Sequence, residues 1–168
     1  MALQSLAEIL SAVADNEEWQ ITPEVLRVAF GSLVAVGGTM YGNDQTLPLT
    51  TAWQPFPSFT NSIDTKGLTE DLPNGQFTVQ AGADGVYAVD VSLGVFSAFA
   101  GWVEIAVTKN GNLTPYRSRR TMTAGGDGVF GIVGSGDLVA GDTVGLAVRG
   151  SGTADITSRN AQFRALRI

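Results

Sequence analysis

Apolar residues alternate with polar or small ones through most of the chain after residue 76. Phe77, Val79 and Ala81 share one parity, and Tyr87, Val89, Val91, Leu93 and Val95 alternate along a longer run. Val103, Ile105 and Val107 come next, then Val144, Leu146 and Val148, and Phe163 to Ile168 closes the chain. A period of two puts such side chains on one face of a strand. The runs are short, no helical pattern separates them, and glycine-containing turns punctuate them at Asn74-Gly75, Gly82 to Gly85 and Asn110-Gly111. That combination predicts an antiparallel sandwich or barrel. The closing strand has apolar residues of both parities, Phe163 and Ala165, then Leu166 and Ile168. A strand that is apolar on both faces needs cover on its second side, here expected from another subunit.

The first 38 residues have a different period. Leu3, Leu6, Ile9, Leu10 and Val13 recur at three- and four-residue steps and predict one amphipathic helix. Thr22, Pro23 and Glu24 are suited to cap, start and electrostatically complement a second helix, whose apolar face is Val25, Leu26, Ala29, Phe30 and Leu33. Gly37-Gly38 is expected to end it. Two such short helices must cover their stripes against each other, sister chains or a partner. Between Thr39 and Leu72, Pro48, Pro55 and Pro57 with many Thr and Asn exclude a long helix and predict an extended arm leading to the first strand. Trp53, Phe56 and Phe59 on that arm read as packing anchors. The organisation expected is a helical segment over 1–38 and a β domain over 39–168.

Composition narrows the chemistry. With 168 residues, one compact body can bury roughly 68–70% of the surface its unfolded chain exposes. Cysteine and histidine are both absent. The first absence removes disulfides and thiolate zinc sites, the second the usual general base and the commonest metal ligand. The net charge of −6 argues against nonspecific DNA binding. The charge is also uneven. Residues 1–100 carry two basic and eleven acidic side chains, and residues 101–168 carry eight basic and five acidic ones. Neighbouring strands that neutralise each other, or an assembly with complementary ends, would account for it. Residues 1–14 lack the basic start of a secretory signal, and no apolar run approaches a membrane span, so neither export nor a membrane partner is expected.

Gly126 to Gly131 matches the glycine spacing of a dinucleotide loop, but the next residues, Ile132 to Asp137, have no helical pattern, so no cofactor is expected. Asp71, Asn74 and Asp84 lie near turns without the spacing of a known calcium loop. No clustered carboxylate pair suggests an enzyme. Arg117, Arg119 and Arg120 stand within four positions just after the Asn110-Gly111 turn. Arg117 and Arg119 share a strand parity that Arg120 does not. With Lys109 they could form a strip for phosphate or an anionic glycan. The reading preferred here is pairing with acids of a neighbouring strand or subunit, to which arginine's planar fork is suited.

In order and spacing, Gly85 to Val89 (GVYAV), Lys109 to Gly111 (KNG), Leu138 to Val148 (LVAGDTVGLAV) and Ala161 to Ile168 (AQFRALRI) resemble the trimeric jelly roll of tumour necrosis factor and of the globular heads of complement's first component. The similarity covers about residues 47 to 168 and looks closest to the versions in tailed-bacteriophage virion proteins. The resemblance implies an all-β, TNF-like antiparallel jelly-roll sandwich, preceded here by the two short helices. It implies a homotrimer without catalysis, one sheet facing the threefold axis and the other facing outward. The expected role is a capsid decoration protein or head fibre, made in the host cytoplasm and carried on the virion surface. Its partners would be itself and the major capsid protein, not nucleic acid. Leu3, Leu6, Leu10, Trp19, Leu26 and Phe30 are the expected capsid contacts. Tyr87, Val89, Phe163, Leu166 and Ile168 are the expected trimer interface. The alternative is a receptor-binding module of a tail or fibre tip that recognises a host surface glycan.

Overall fold

The computed structural model describes residues 36–168, apart from Ser58 and the side chain of Asp64. The two expected helices, and with them Leu3, Leu6, Leu10, Trp19, Leu26 and Phe30, lie outside the described residues. What is described is a sandwich of two antiparallel sheets. In chain order the strands are β1 (Gly37–Gly42), β2 (Gln45–Pro48), β3 (Gln54–Pro55), β4 (Asn61–Lys66), β5 (Leu68–Asp71), β6 (Gln76–Val79), β7 (Gly85–Ser97), β8 (Gly101–Lys109), β9 (Asn112–Met122), β10 (Gly126–Leu138), β11 (Thr143–Gly150) and β12 (Asp155–Arg167). The first sheet has the order β10-β7-β12-β1-β4, with β2 also on β12. The second has the order β5-β6-β11-β8-β9, with β3 also on β11. From β6 onward the chain passes repeatedly from one sheet to the other, the winding of a jelly roll.

The alternation seen in the sequence is what closes the core. From the first sheet, Met40, Tyr87, Val91, Leu93, Phe130, Ile156 and Phe163 point inward; from the second, Leu68, Phe77, Ile105 and Leu146 meet them. Each such side chain contributes about 1.5–3 kcal/mol by leaving water. Phe56 and Phe59 of the arm are buried as the anchors expected, with ring centroids 5.4 Å apart, and Phe59 and Phe77 lie 6.2 and 5.6 Å from Phe163. The arm is not a mere lead-in: residues 37–71 supply five short strands to the margins of both sheets.

Two differences from the sequence reading have physical causes. Gly37-Gly38, expected to stop a helix, begins β1. A Cβ at Gly37 would sit 2.7 Å from the Ala165 carbonyl oxygen, and one at Gly38 would sit 3.0 Å from the Phe77 ring. These glycines allow close packing, so the β domain starts at least two residues before the expected boundary. Nor does the alternation mark β10, because five of its thirteen residues are glycine and erase the apolar pattern. The Asn110-Gly111 turn is as expected, with φ of 51° and 73°, the positive pair that a two-residue hairpin requires.

Candidate interaction faces

The sandwich has two outward faces, and their chemistry differs. On the first sheet, one row runs across five strands as Ile63, Thr39, Arg164, Asp90 and Val133. The next row is Tyr41, Gln162, Ser92 and Gly131. On the other side come Leu166, Ala88 and Ser135, then Val86, to whose carbonyl the Ile168 amide donates. Eight large apolar side chains are exposed among the described residues, and six of them, Tyr41, Ile63, Val86, Val129, Val133 and Ile168, lie on this one face. Val133 and Ile168 are 78% and 73% exposed. Scattered exposed apolar residues are ordinary, but a concentration on one sheet face marks an interaction surface. Asp90 and Arg164 oppose each other in register at its centre, yet they form no ion pair within the described residues.

The second sheet covers its outward face itself. Arg119, Glu104 and Arg149 stand side by side on β9, β8 and β11. Arg149 donates from Nε at 2.9 Å and from a terminal nitrogen at 2.7 Å to one Glu104 oxygen. Glu104 is only 6% exposed, so this carboxylate depends on its partner. The guanidinium of Arg149 also stacks on Trp53 at 4.6 Å and approaches Trp102 at 5.4 Å, while Arg119 covers Trp102 at 3.9 Å. Cations and rings thus alternate from β9 to the arm beside β3. Such contacts add about 0.5–2 kcal/mol each, more as water is excluded.

Beside this stack lies a cleft of about 460 Å³. Gly145 and Ala147 on β11, Trp53, and the amides of Gln54, Asn74, Gln76 and Asn112 line it. Thr108 on β8 lines it too, with Leu113 across the ladder on β9. In the adjacent row Arg117 stands opposite Ala106, itself paired with Ala147 of the lining, so Arg117 is one strand away from the cleft floor on the same face.

At the hairpin end, Asp142 accepts from Asn110 Nδ2 at 2.7 Å and from the Val139 amide at 3.0 Å, and pairs with Lys109 at 2.8 Å. The bond from Asn110, then that from Lys109, hold its carboxyl at about 2, below the ordinary aspartate value. Asp71 accepts from Asn74 and Gln76 at the turn before β6, and the Asn74 side-chain bond lowers its pKa.

The five residues expected at a subunit interface divide. Tyr87, Val89 and Phe163 are buried between the sheets of one chain, where Tyr87 Oη donates to the Ala83 carbonyl at 2.6 Å. Leu166 and Ile168, of the other parity, lie on the first sheet's outward face, with Leu166 half-buried. Val129 and Val133 are there as well, hidden in the sequence by the glycines around them. Arg117 and Arg119 share a face, and Arg120, opposite Val103, has the other parity. None of the three has an ion-pair partner within the described residues. The acid opposite Arg119 is Glu104, which Arg149 occupies. Asp71 and Asp84 do not converge: Asp84 accepts from the Ala140 amide on a different turn.

No protein-family model matches this chain, and neither does any curated protein. Among solved structures, the globular domain of zebrafish complement 1qA superposes with a TM-score of 0.57 and 16% identity, over 79% of this chain and 97% of that one. The TNF protein Eiger from S. frugiperda superposes with a TM-score of 0.53 and 12% identity, over 80% and 92%. The fold is therefore the TNF-like jelly roll; identities this low speak to fold alone.

Proposed function

We propose that this is a non-catalytic structural protein that works as a homotrimer, joined through the outward face of the first sheet. The observation that carries the reading is the collection of six exposed large apolar side chains on that face, around an Asp90 and an Arg164 that form no ion pair within the described residues. Three copies about a threefold axis would cover the valines and Ile168 and bring each arginine toward a neighbour's aspartate. A stable contact of this kind removes on the order of 800 Å² per partner from water.

Within this reading the protein is a tailed-bacteriophage virion component, a capsid decoration protein or head fibre, located on the capsid surface. The segment before β1 docks on the major capsid protein, and three docking segments on one trimer convert a weak contact into strong avidity. The sequence resemblance supports this placement. The test is co-sedimentation with expanded and mature capsids of the full chain and of a variant lacking residues 1–35. The full chain is expected to pellet with capsids and the shortened one to stay in solution as a trimer. Failure of the full chain to bind either capsid form would overturn the placement.

A further inference from the structure

We propose that the second sheet's cleft binds an acidic polysaccharide, with Trp53 as a sugar platform and Arg117 and Arg119 as carboxylate contacts. The cleft is large enough for a sugar unit or two, and its lining mixes an indole, small floor residues and four primary amides. Each of these amides already donates one N–H within the chain, to Pro48, Asp71 or Asn110, which fixes its orientation and leaves a second N–H for a pyranose hydroxyl. Arg149 stacks on one face of Trp53, so a sugar would lie against the rest of the half-exposed indole, a flat, low-entropy apolar surface for its ring hydrogens. Gly145 keeps the floor low: a Cβ there would lie 3.0 Å from the Gln76 Cβ and 3.1 Å from the Thr108 hydroxyl.

Charge selects the ligand class. The chain is acidic overall, yet Arg117 and Arg119 are exposed here with no acid paired to them among the described residues, and Glu104, opposite Arg119, is already bound by Arg149. A guanidinium fork matches a carboxylate in both geometry and charge. A polysaccharide with a uronic acid in its repeat places carboxylates along a row of hydroxyls, as the face places arginines beside amides. The inference rests on the proposed role only in that this sheet then faces away from the threefold axis. The site itself lies within one chain.

The test is affinity electrophoresis of the full chain in gels containing polygalacturonate, alginate, neutral dextran or dextran sulfate, with molar mass measured on the same samples by light scattering. Retardation by the two carboxylated polymers and not by dextran is expected. Arg117→Ala, at a position without an ion-pair partner in the described fold, should raise the dissociation constant about tenfold or more. Arg120→Ala, the same change of charge on the same strand but the other parity, should leave it within twofold. Trp53→Phe should weaken binding less than Trp53→Ala. No retardation by either carboxylated polymer overturns the inference, and so does equal loss on Arg117→Ala and Arg120→Ala. Retardation by dextran sulfate that Trp53→Ala leaves intact would mean simple charge attraction, which also overturns it. A trimer that fails to bind refutes the site and spares the assembly; a monomer that binds does the reverse.

Discussion

The two outward faces of this sandwich are built from the same kind of strand but solve the problem of solvent differently. The second sheet covers its face with its own side chains: Trp53 and Trp102 lie under arginines, and Glu104 is held by Arg149. The first sheet leaves valines, Ile63 and Ile168 bare, and its central Asp90 and Arg164 form no ion pair among the described residues. A face completed within the chain resists disruption but does not need a partner. A face left incomplete requires one. On the proposed reading, the difference assigns the first sheet to assembly and leaves the second facing outward.

Substitutions can break or sharpen this contrast. The largest effect is expected from Arg149→Ala, which strands the buried Glu104 carboxylate and releases Trp53. It should lower stability by about 2–3 kcal/mol in urea unfolding, less than a fully buried pair would lose because Arg149 is partly exposed. Arg164→Ala on the other sheet should change the unfolding of an isolated monomer by under about 0.5 kcal/mol. Equal losses at the two arginines would erase the distinction. Next, Trp53→Ala should cost about 1–2 kcal/mol by freeing the arm from Arg149, seen as a lower thermal midpoint and faster proteolysis near residues 49–57. Smaller still is a pH effect at the hairpin end. Because the Asp142 pKa is depressed in the folded state, its contribution is fully present above the ordinary value near 3.8 and is lost as pH falls toward about 2. Asp142→Asn should flatten the fall of the thermal midpoint across that window, and an unchanged acid profile would contradict the bonding described. Leu113→Ser, an exposed change on the second sheet, should leave both stability and molar mass unaltered.

The sequence made some of this contrast visible. The inward parity of Tyr87 to Val95 and Val103 to Val107 is a local property, and it located the core strands and the sandwich. The mixed parity of Phe163 to Ile168 pointed to apolar residues on both faces of the last strand, and Leu166 and Ile168 do lie on the outward one. Tyr87, Val89 and Phe163 group with them in the sequence because periodicity marks a residue as buried without telling an intramolecular partner from an intermolecular one. β10 stayed hidden because glycines carry no apolar signal, and with it went Val129 and Val133. The Arg149–Glu104 pair joins residues 45 positions apart, and the ladder between β8 and β11 that aligns them is a tertiary fact. Alternation alone gives each strand's faces but not its neighbours.

The central claim is that the first sheet's bare face is a self-association surface and the second's is not. Sedimentation equilibrium of the full chain against Val129→Asp/Val133→Asp tests it most directly, with circular dichroism to check that the β fold survives. The native protein should sediment at three times the chain's 17.5 kDa, and the double variant as a folded single chain. A native protein of 17.5 kDa at micromolar concentration, or a double variant that remains trimeric, would contradict it.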